Sequence, residues 1–170
     1  AKYDAGVSIT LSATVSLCAN PIWQFGTEEQ KEKFLVPLVE GTKLGAFGLT
    51  EPNAGTDASG QQTVAVKNDD GTYTLNGSKI FITNGGHADI YIVFAMTDKS
   101  KGNHGITAFI LEDGMPGFTY GKKEDKMGIH TSVTMELVFQ DVKVPAENML
   151  GEEGKGFKIA MMTLDGGRIG

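Results

Sequence analysis

Apolar side chains first recur at helical spacing, at Val7, Leu11, Val15 and Cys18, which predicts a helix that Asn20-Pro21 interrupts. Thr27-Glu28-Glu29-Gln30 then reads as a capping box: the Thr hydroxyl satisfies an orphan amide while the Gln side chain reaches back. The helix it opens carries Phe34, Leu35 and Leu38 toward a core; Pro37 is expected to bend or end it and Gly41 to stop it. From Leu44 to about Val144 the period changes to two. Val64/Val66, Tyr73/Leu75, Ile80/Ile82, Ile90/Ile92/Phe94, Ile106/Ala108/Ile110 and Met135/Leu137/Phe139 are short runs with the alternation of half-buried strands. Asn68-Asp69-Asp70-Gly71, Asn76-Gly77, Asn84-Gly85-Gly86 and Pro116-Gly117 are the turns expected between them. Helical spacing returns after Gly156, with Phe157, Ala160, Met161 and Leu164 on one stripe.

The order is therefore α, then β, then α, and the class α+β. An antiparallel β-barrel or sandwich over residues 44–153 is flanked by helical pieces, 1–43 and 154–170. Both flanking pieces read as truncated, since the first helix lacks a visible start and the last has few turns and nothing to pack against.

Composition narrows the partners. The chain has 170 residues, 40% of them hydrophobic, enough for one buried core. Fifteen Lys and Arg against 21 Asp and Glu give a net charge of −6, so no basic field exists to attract nucleic acid or an anionic membrane surface. No apolar run in the sequence approaches the roughly 20 residues of a spanning helix. The single Cys18 sits in an apolar stretch and reads as a buried inert thiol. His87, His104 and His130 are scattered without HExxH or CxxC spacing, so no metal site is expected.

Two stretches can carry chemistry. Phe47-Gly48-Leu49-Thr50-Glu51-Pro52-Asn53-Ala54-Gly55-Thr56-Asp57 is an apolar strand running into a polar turn, able to offer amides and hydroxyls to one planar ligand. A surface turn between strands has the same composition. Lys79-Ile80-Phe81-Ile82-Thr83-Asn84-Gly85-Gly86 sets a ring and a hydroxyl two positions apart on a strand, hence on one face, which suits a flat cofactor as well as it suits a strand end with one core Phe. The glycines of Gly151-Glu152-Glu153-Gly154-Lys155-Gly156 do not extend to GxGxxG, because Ile159 occupies the third glycine position.

Taken together, the two stretches resemble the acyl-CoA dehydrogenase family. Gly48-Leu49-Thr50-Glu51-x-x-Ala54-Gly55-Thr56-Asp57-x-x-Gly60 fits that family's long signature. Leu75-Asn76-Gly77-Ser78-Lys79-Ile80-Phe81-Ile82-Thr83-Asn84-Gly85 and Phe139-Gln140-Asp141-Val142-Lys143-Val144-Pro145 follow in the family's order, and the likeness, to its bacterial short-chain branch, covers the whole chain.

The resemblance implies an FAD site. Phe47, Gly48, Leu49, Thr50, Glu51, Pro52, Asn53, Ala54, Gly55 and Thr56 would line the flavin, with Thr50 at the pyrimidine end of the ring and Thr56 also touching substrate. Phe81, Ile82 and Thr83 would form the second contact, the Thr83 hydroxyl bonding N5; Phe81 stands where relatives often carry Trp. Asp165, Gly166, Gly167 and Arg168 match a segment that contacts acyl-CoA, and Asn103 is a weaker candidate near the CoA tail.

The reaction implied, a step of fatty acid metabolism, is α,β-dehydrogenation of a short acyl-CoA, with hydride passing to flavin N5. Its base, a Glu in the family, would fall after Gly170, and Glu51 is expected to have a structural hydrogen-bonding role. Electron-transferring flavoprotein as acceptor, a homotetramer, and a bacterial cytoplasmic location (mitochondrial matrix in a eukaryote) follow from the same likeness. An acyl-CoA oxidase segment and a non-catalytic β-barrel binding module remain open alternatives.

Overall fold

The computed structural model describes residues 2–167. Helix α1 spans Ala5–Phe25, its start capped by the Asp4 carboxylate, which accepts the Gly6 and Val7 amides at 2.7 and 3.1 Å. Contrary to the sequence expectation, Asn20-Pro21 does not interrupt it. Ala13–Ala19 is wound as a π-helix, with the Asn20 amide reaching the Val15 carbonyl, and the wider turn ahead of Pro21 accommodates a residue with no N–H and a bulky ring. Helix α2, residues 28–39, repeats the device: Lys31–Leu35 is π, the Val36 amide bonds the Lys31 carbonyl, and Pro37 follows without ending the helix. Gly41, at φ 74°, closes it. The expected capping box at its start is formed, Thr27 and Gln30 exchanging bonds of 3.1 and 3.2 Å.

Continuity through Pro21 gives α1 21 residues, with an 18-residue stretch of mean hydropathy 1.3, long and apolar enough to cross a membrane by length and composition. Here it packs on a sheet, and the side that packs is not the stripe of large apolar residues. Val7, Leu11 and Val15 are more than half exposed, whereas Gly6, Ala13, Thr14, Cys18, Ala19 and Ile22 are buried. Small residues win this face because the approach is close: a Cβ on Gly45 of the first strand would lie 2.5 Å from the Cys18 Cβ. Cys18 is fully buried and its thiol is pushed up to about 12 by that burial.

Strands β1 (Gly45–Gly48), β2 (Val64–Lys67), β3 (Tyr73–Thr83), β4 (Ile90–Met96), β5 (Ile106–Glu112), β6 (Phe118–Lys123), β7 (Thr134–Val144) and β8 (Met149–Leu150) form one sheet in the order β6-β7-β3-β2-β4-β5-β8, with β1 beside β4. The sheet is mixed, not purely antiparallel. β1 pairs with β4 in parallel, Gly45 opposite Ile90 through Gly48 opposite Val93, and Val64 of β2 meets Met96 in the same sense. β4 is buried along its whole length. Ile90, Ile92, Phe94 and Met96 face a core shared with Ile22, Phe34, Leu38 and Ile159 of the helices. Tyr91, Val93 and Ala95 face a second core, inside the curled sheet, with Tyr73, Phe109, Phe118, Leu137 and Phe139.

Asn76-Gly77, read as a turn, is a bulge inside the single strand β3, where Gly77 at φ 143° passes so close to Thr63 that a Cβ would meet its Oγ1 at 2.5 Å. β6 follows the Pro116-Gly117 turn as an additional strand. Helix α3, Gly156–Gly167, does have packing partners: Ile159 and Ala160 are buried against β5 and α1, and Gly156 sits where a Cβ would press on the Thr107 carbonyl carbon at 2.6 Å.

Candidate functional site

A cleft of about 680 Å³ opens between the sheet and the helices. One wall comes from β1 and the loop after it, where Phe47, Leu49, Thr50, Gly55 and Thr56 line the space, and from the end of β3, through Phe81, Ile82 and Thr83. The facing wall is helical and apolar: Ala13 and Leu17 from the π-wound part of α1, Phe157, Met161 and Leu164 from α3. Asn103 lies at the rim. Sequence reasoning did not single out Ala13, Leu17, Asp57, Ala58 or Ser59 as lining residues. For the last three a local signal exists, since Asp57-x-Ser59 forms an Asx-turn with the Ser59 amide 3.1 Å from the Asp57 carboxylate.

The end of β3 is distorted in a way that serves the cleft. Its pairing with β7 slips between Lys79 and Ile82, and Phe81 is held at φ 59°, a backbone state that costs a side-chain-bearing residue about 1–2 kcal/mol. The bulge breaks strict alternation, so that Phe81, Ile82 and Thr83 all reach the cleft, and the Phe81 ring is left 59% exposed. The hydroxyls of Thr50, Thr56 and Thr83 have no hydrogen-bond partner among the described residues. Next along the chain, Asn84 at φ 66° is buried, and its amide nitrogen donates to the Thr10 carbonyl at 3.0 Å and the Gly45 carbonyl at 2.9 Å. It thereby joins α1, β1 and the end of β3.

Other predicted site residues lie elsewhere. Gly48 is buried against Val93 and Leu137, and Ala54 is buried where it exchanges backbone bonds with Glu51. Pro52 and Asn53 line a separate depression on the far side of the loop. Glu51 is 4% exposed, with its carboxylate on the Lys79 ammonium at 2.7 Å and on the Gln62 and Thr63 amides at 2.6 and 3.1 Å. Burial pushes this carboxyl up, but the Lys79 charge and these hydrogen bonds together hold it below its ordinary value. Burial likewise draws Lys79 down to about 8, against the raising influence of Glu51. Asp165 and Gly166 are exposed on α3 outside the cleft, and Gly167 packs by Leu17. Arg168 lies outside the described residues. Among the described residues no group of three or more His, Cys, Asp and Glu side chains is placed to hold a metal ion.

Residues 46–142 match the model of the acyl-CoA dehydrogenase middle domain, and residues 1–42 that of the acyl-CoA dehydrogenase N-terminal domain. The chain belongs to the acyl-CoA dehydrogenase family. It is 96% identical over all 170 residues to a short-chain specific acyl-CoA dehydrogenase of Megasphaera elsdenii, covering 44% of that protein. Against the mitochondrial short-chain specific enzyme of Rattus norvegicus it is 48% identical over 166 residues, 98% of this chain and 40% of the relative. The solved structure of butyryl-CoA dehydrogenase from Megasphaera elsdenii superposes with a TM-score of 0.98 at 96% identity, covering 99% of this chain and 44% of that one. The chain thus spans less than half the length of these relatives.

Proposed function

We propose that the cleft receives the ring system of FAD, with a short acyl-CoA thioester beside it, as the flavin-binding part of a short-chain acyl-CoA dehydrogenase. The observation that carries this reading is the pairing, on one wall, of an exposed aromatic ring held in a strained backbone with hydroxyls that lack partners among the described residues. A flat heterocycle with a polar edge answers both features. The cleft residues fit that group. Phe47 and Phe81 present aromatic surface, Thr50 and Thr83 donate to its polar edge, and Leu17, Met161 and Leu164 exclude water from the other side.

Bound FAD supplies the acceptor for the β-hydride of the substrate. The chain's own contribution is orientation, and the Thr83 hydroxyl, assigned to N5, stabilises negative charge there. Proton removal from the α-carbon needs a positioned base. Glu51 is committed to Lys79 behind the wall, and the Asp57 carboxyl is held low chiefly by its bond to Ser59. We therefore assign the base to a residue outside 2–167. Thr56 and Asn103, with Asp165 to Arg168, are the candidates for the acyl-CoA side. Electron-transferring flavoprotein as acceptor, tetrameric assembly and a cytoplasmic setting belong to the same proposal.

Two measurements test it. Titration of the chain with FAD, followed by the visible flavin bands, should give saturable binding; an unperturbed spectrum at every FAD concentration removes the cofactor assignment. In the enzyme that carries this sequence, Thr83→Ala should slow flavin reduction by butyryl-CoA about ten- to a hundredfold while changing substrate affinity little. Unchanged reduction kinetics would remove Thr83 from the N5 position.

A further inference from the structure

Behind the cleft wall, and joined to it through the Leu49 carbonyl, sits an ionic cluster taken almost wholly out of water. Lys79 has no solvent exposure. Its ammonium donates to the Glu51 carboxylate at 2.7 Å, to the Gln61 side-chain oxygen at 2.9 Å and to the Leu49 carbonyl at 3.2 Å, so its three protons meet three acceptors. The same Glu51 carboxylate accepts the Gln62 and Thr63 amides. These contacts join the two ends of one loop: Leu49 and Glu51 on the way out, Gln61 to Thr63 on the way back. The Ile80 amide adds a bond to the Thr50 carbonyl at 2.9 Å, tying the same neck to β3.

Beyond the neck the loop's hydrogen bonds are local, Ala54 with Glu51, Asp57 with Ser59 and Gly60, and Gln61 with Ala58, and only Ala54 is buried, with Ala58 packed against the core. Pro52, Asn53, Gly55, Thr56 and Asp57 are exposed, and a Cβ on Gly55 would meet nothing within 4 Å. Yet Gly55 and Thr56 line the cleft, and so do Phe81 and Thr83, two and four residues beyond Lys79 on its strand. The placement of one lining segment relative to the other is therefore set at the neck. A buried ion pair brings no assured stability, because desolvation offsets its attraction and apolar substitutes often do as well; what it supplies here is a fixed geometry between two segments.

We propose that Lys79 and Glu51 are positioning residues, a buried ionic clip that closes the neck of the 52–60 loop onto β3 and so sets the spacing of the two hydroxyl-bearing segments of the cleft. Only the consequence for ligand binding rests on the flavin reading; the clip itself does not.

The test uses the full chain and the double variant Glu51→Gln with Lys79→Met, which removes both charges together and leaves neither buried alone. Without ligand, amide exchange across 52–63, including Gln62 and Thr63, should accelerate about tenfold or more while the amides of β4 and β5 keep their protection. Unchanged exchange in 52–63, or equal acceleration throughout the chain, would overturn the proposal, the latter by showing a general stabiliser instead of a clip. Gln61→Met provides a second variant should the double one not fold. It removes one acceptor, leaves the charges paired, and should give a smaller acceleration in the same segment; none there would also overturn it. With FAD as the probe, the double variant should bind about tenfold more weakly than the unaltered chain. If the unaltered chain binds no FAD while the 52–63 exchange responds as expected, the flavin reading fails and the clip stands. Undiminished FAD binding despite faster exchange would overturn the link between neck and cleft.

Discussion

On the strand-and-loop side of the cleft, polar groups are taken out of water and almost every one is answered. Lys79 has three acceptors, Glu51 has a cation and two amides, and Asn84 reaches carbonyls on α1 and β1. The helical side is built from Ala13, Leu17, Met161 and Leu164 in the cleft, and it leaves Val7, Leu11, Val15 and Trp23 more than half exposed on its outer surface. Hydrogen bonds with three fixed acceptors hold an atom to one place, whereas apolar packing tolerates rearrangement of similar volume. The difference assigns precision to one wall and enclosure to the other. Changes on the polar wall should therefore be costly and position-specific.

The largest effect expected is from Lys79→Met, which strands the Glu51 carboxylate in the interior. Breaking a buried pair on one side costs about 3–5 kcal/mol, readable as a lower midpoint in urea unfolding. Lys143→Ala breaks an ion pair of the same 2.7 Å length to Asp70, but one exposed on both sides, and should leave the midpoint unmoved. Equal effects would mean that burial of the Lys79–Glu51 pair adds nothing an exposed pair lacks. The pH dependence has a definite sign. Because Glu51 is held below its ordinary value of 4.5 in the fold, its contribution is present above that value and is lost as pH falls through the lowered one. Glu51→Gln should remove that part of the acid sensitivity.

Much of this wall was hidden in the sequence, for reasons the residues make plain. Lys79 looks like a solvated strand residue, since lysines are seldom buried unless paired, and its partner is 28 positions earlier. Glu51 was readable as structural only through its place in the turn. By contrast, the Thr27/Gln30 capping box depends on neighbours in the chain and forms as expected, and each period-two run lies on a strand, although β2 turns Ala65 inward and Val66 outward and β4 and β5 are buried on both faces. The prolines misled because π-winding ahead of Pro21 and Pro37 lets both helices continue, and that winding has no residue signature. The stripe at Val7, Leu11 and Val15 misled because periodicity marks a face without saying which way it points. The parallel pairing of β1 with β4 brings together segments some 45 residues apart, which no local pattern announces.

Next in size is Asn84→Ala. The side chain is a polar link between the two walls, alongside Thr14 of α1 with the Gly45 amide and carbonyl, and its loss leaves the Thr10 and Gly45 carbonyls one donor fewer. A cost of about 1–3 kcal/mol is expected, measured by thermal unfolding, together with faster exchange at the start of β1. A neutral result would mean that water replaces the amide there and that the Thr14–Gly45 bonds and packing suffice to join the walls.

Phe81→Gly should act in the opposite direction. Glycine occupies φ 59° without penalty, and the ring it removes is 59% exposed, so little packing is lost. The fold should gain up to about 1 kcal/mol while FAD affinity falls, the signature of strain kept for a ligand. A gain in stability with unchanged FAD binding would instead make the strain incidental and the ring dispensable.

Among the cleft residues the smallest effect on the fold is expected at Gly55, and it separates loop from ligand most cleanly. Its φ lies outside the left-handed region, and a Cβ there meets no atom within 4 Å, so the free chain has no steric reason to require glycine. Gly55→Val should therefore change stability by no more than about 0.5 kcal/mol, as for an ordinary surface site. Gly55 nonetheless lines the cleft between Thr50 and Thr56, and a branched side chain projecting there would occupy space that a flat ring needs. An unaltered melting temperature combined with a marked loss of FAD binding would show that glycine is required by the ligand and not by the backbone. A lowered melting temperature would show that the loop tip is packed more tightly than its open surroundings imply. Normal melting with normal FAD affinity would place the ring elsewhere in the cleft, against the end of β3, and would reduce the loop to a scaffold for Thr50 alone.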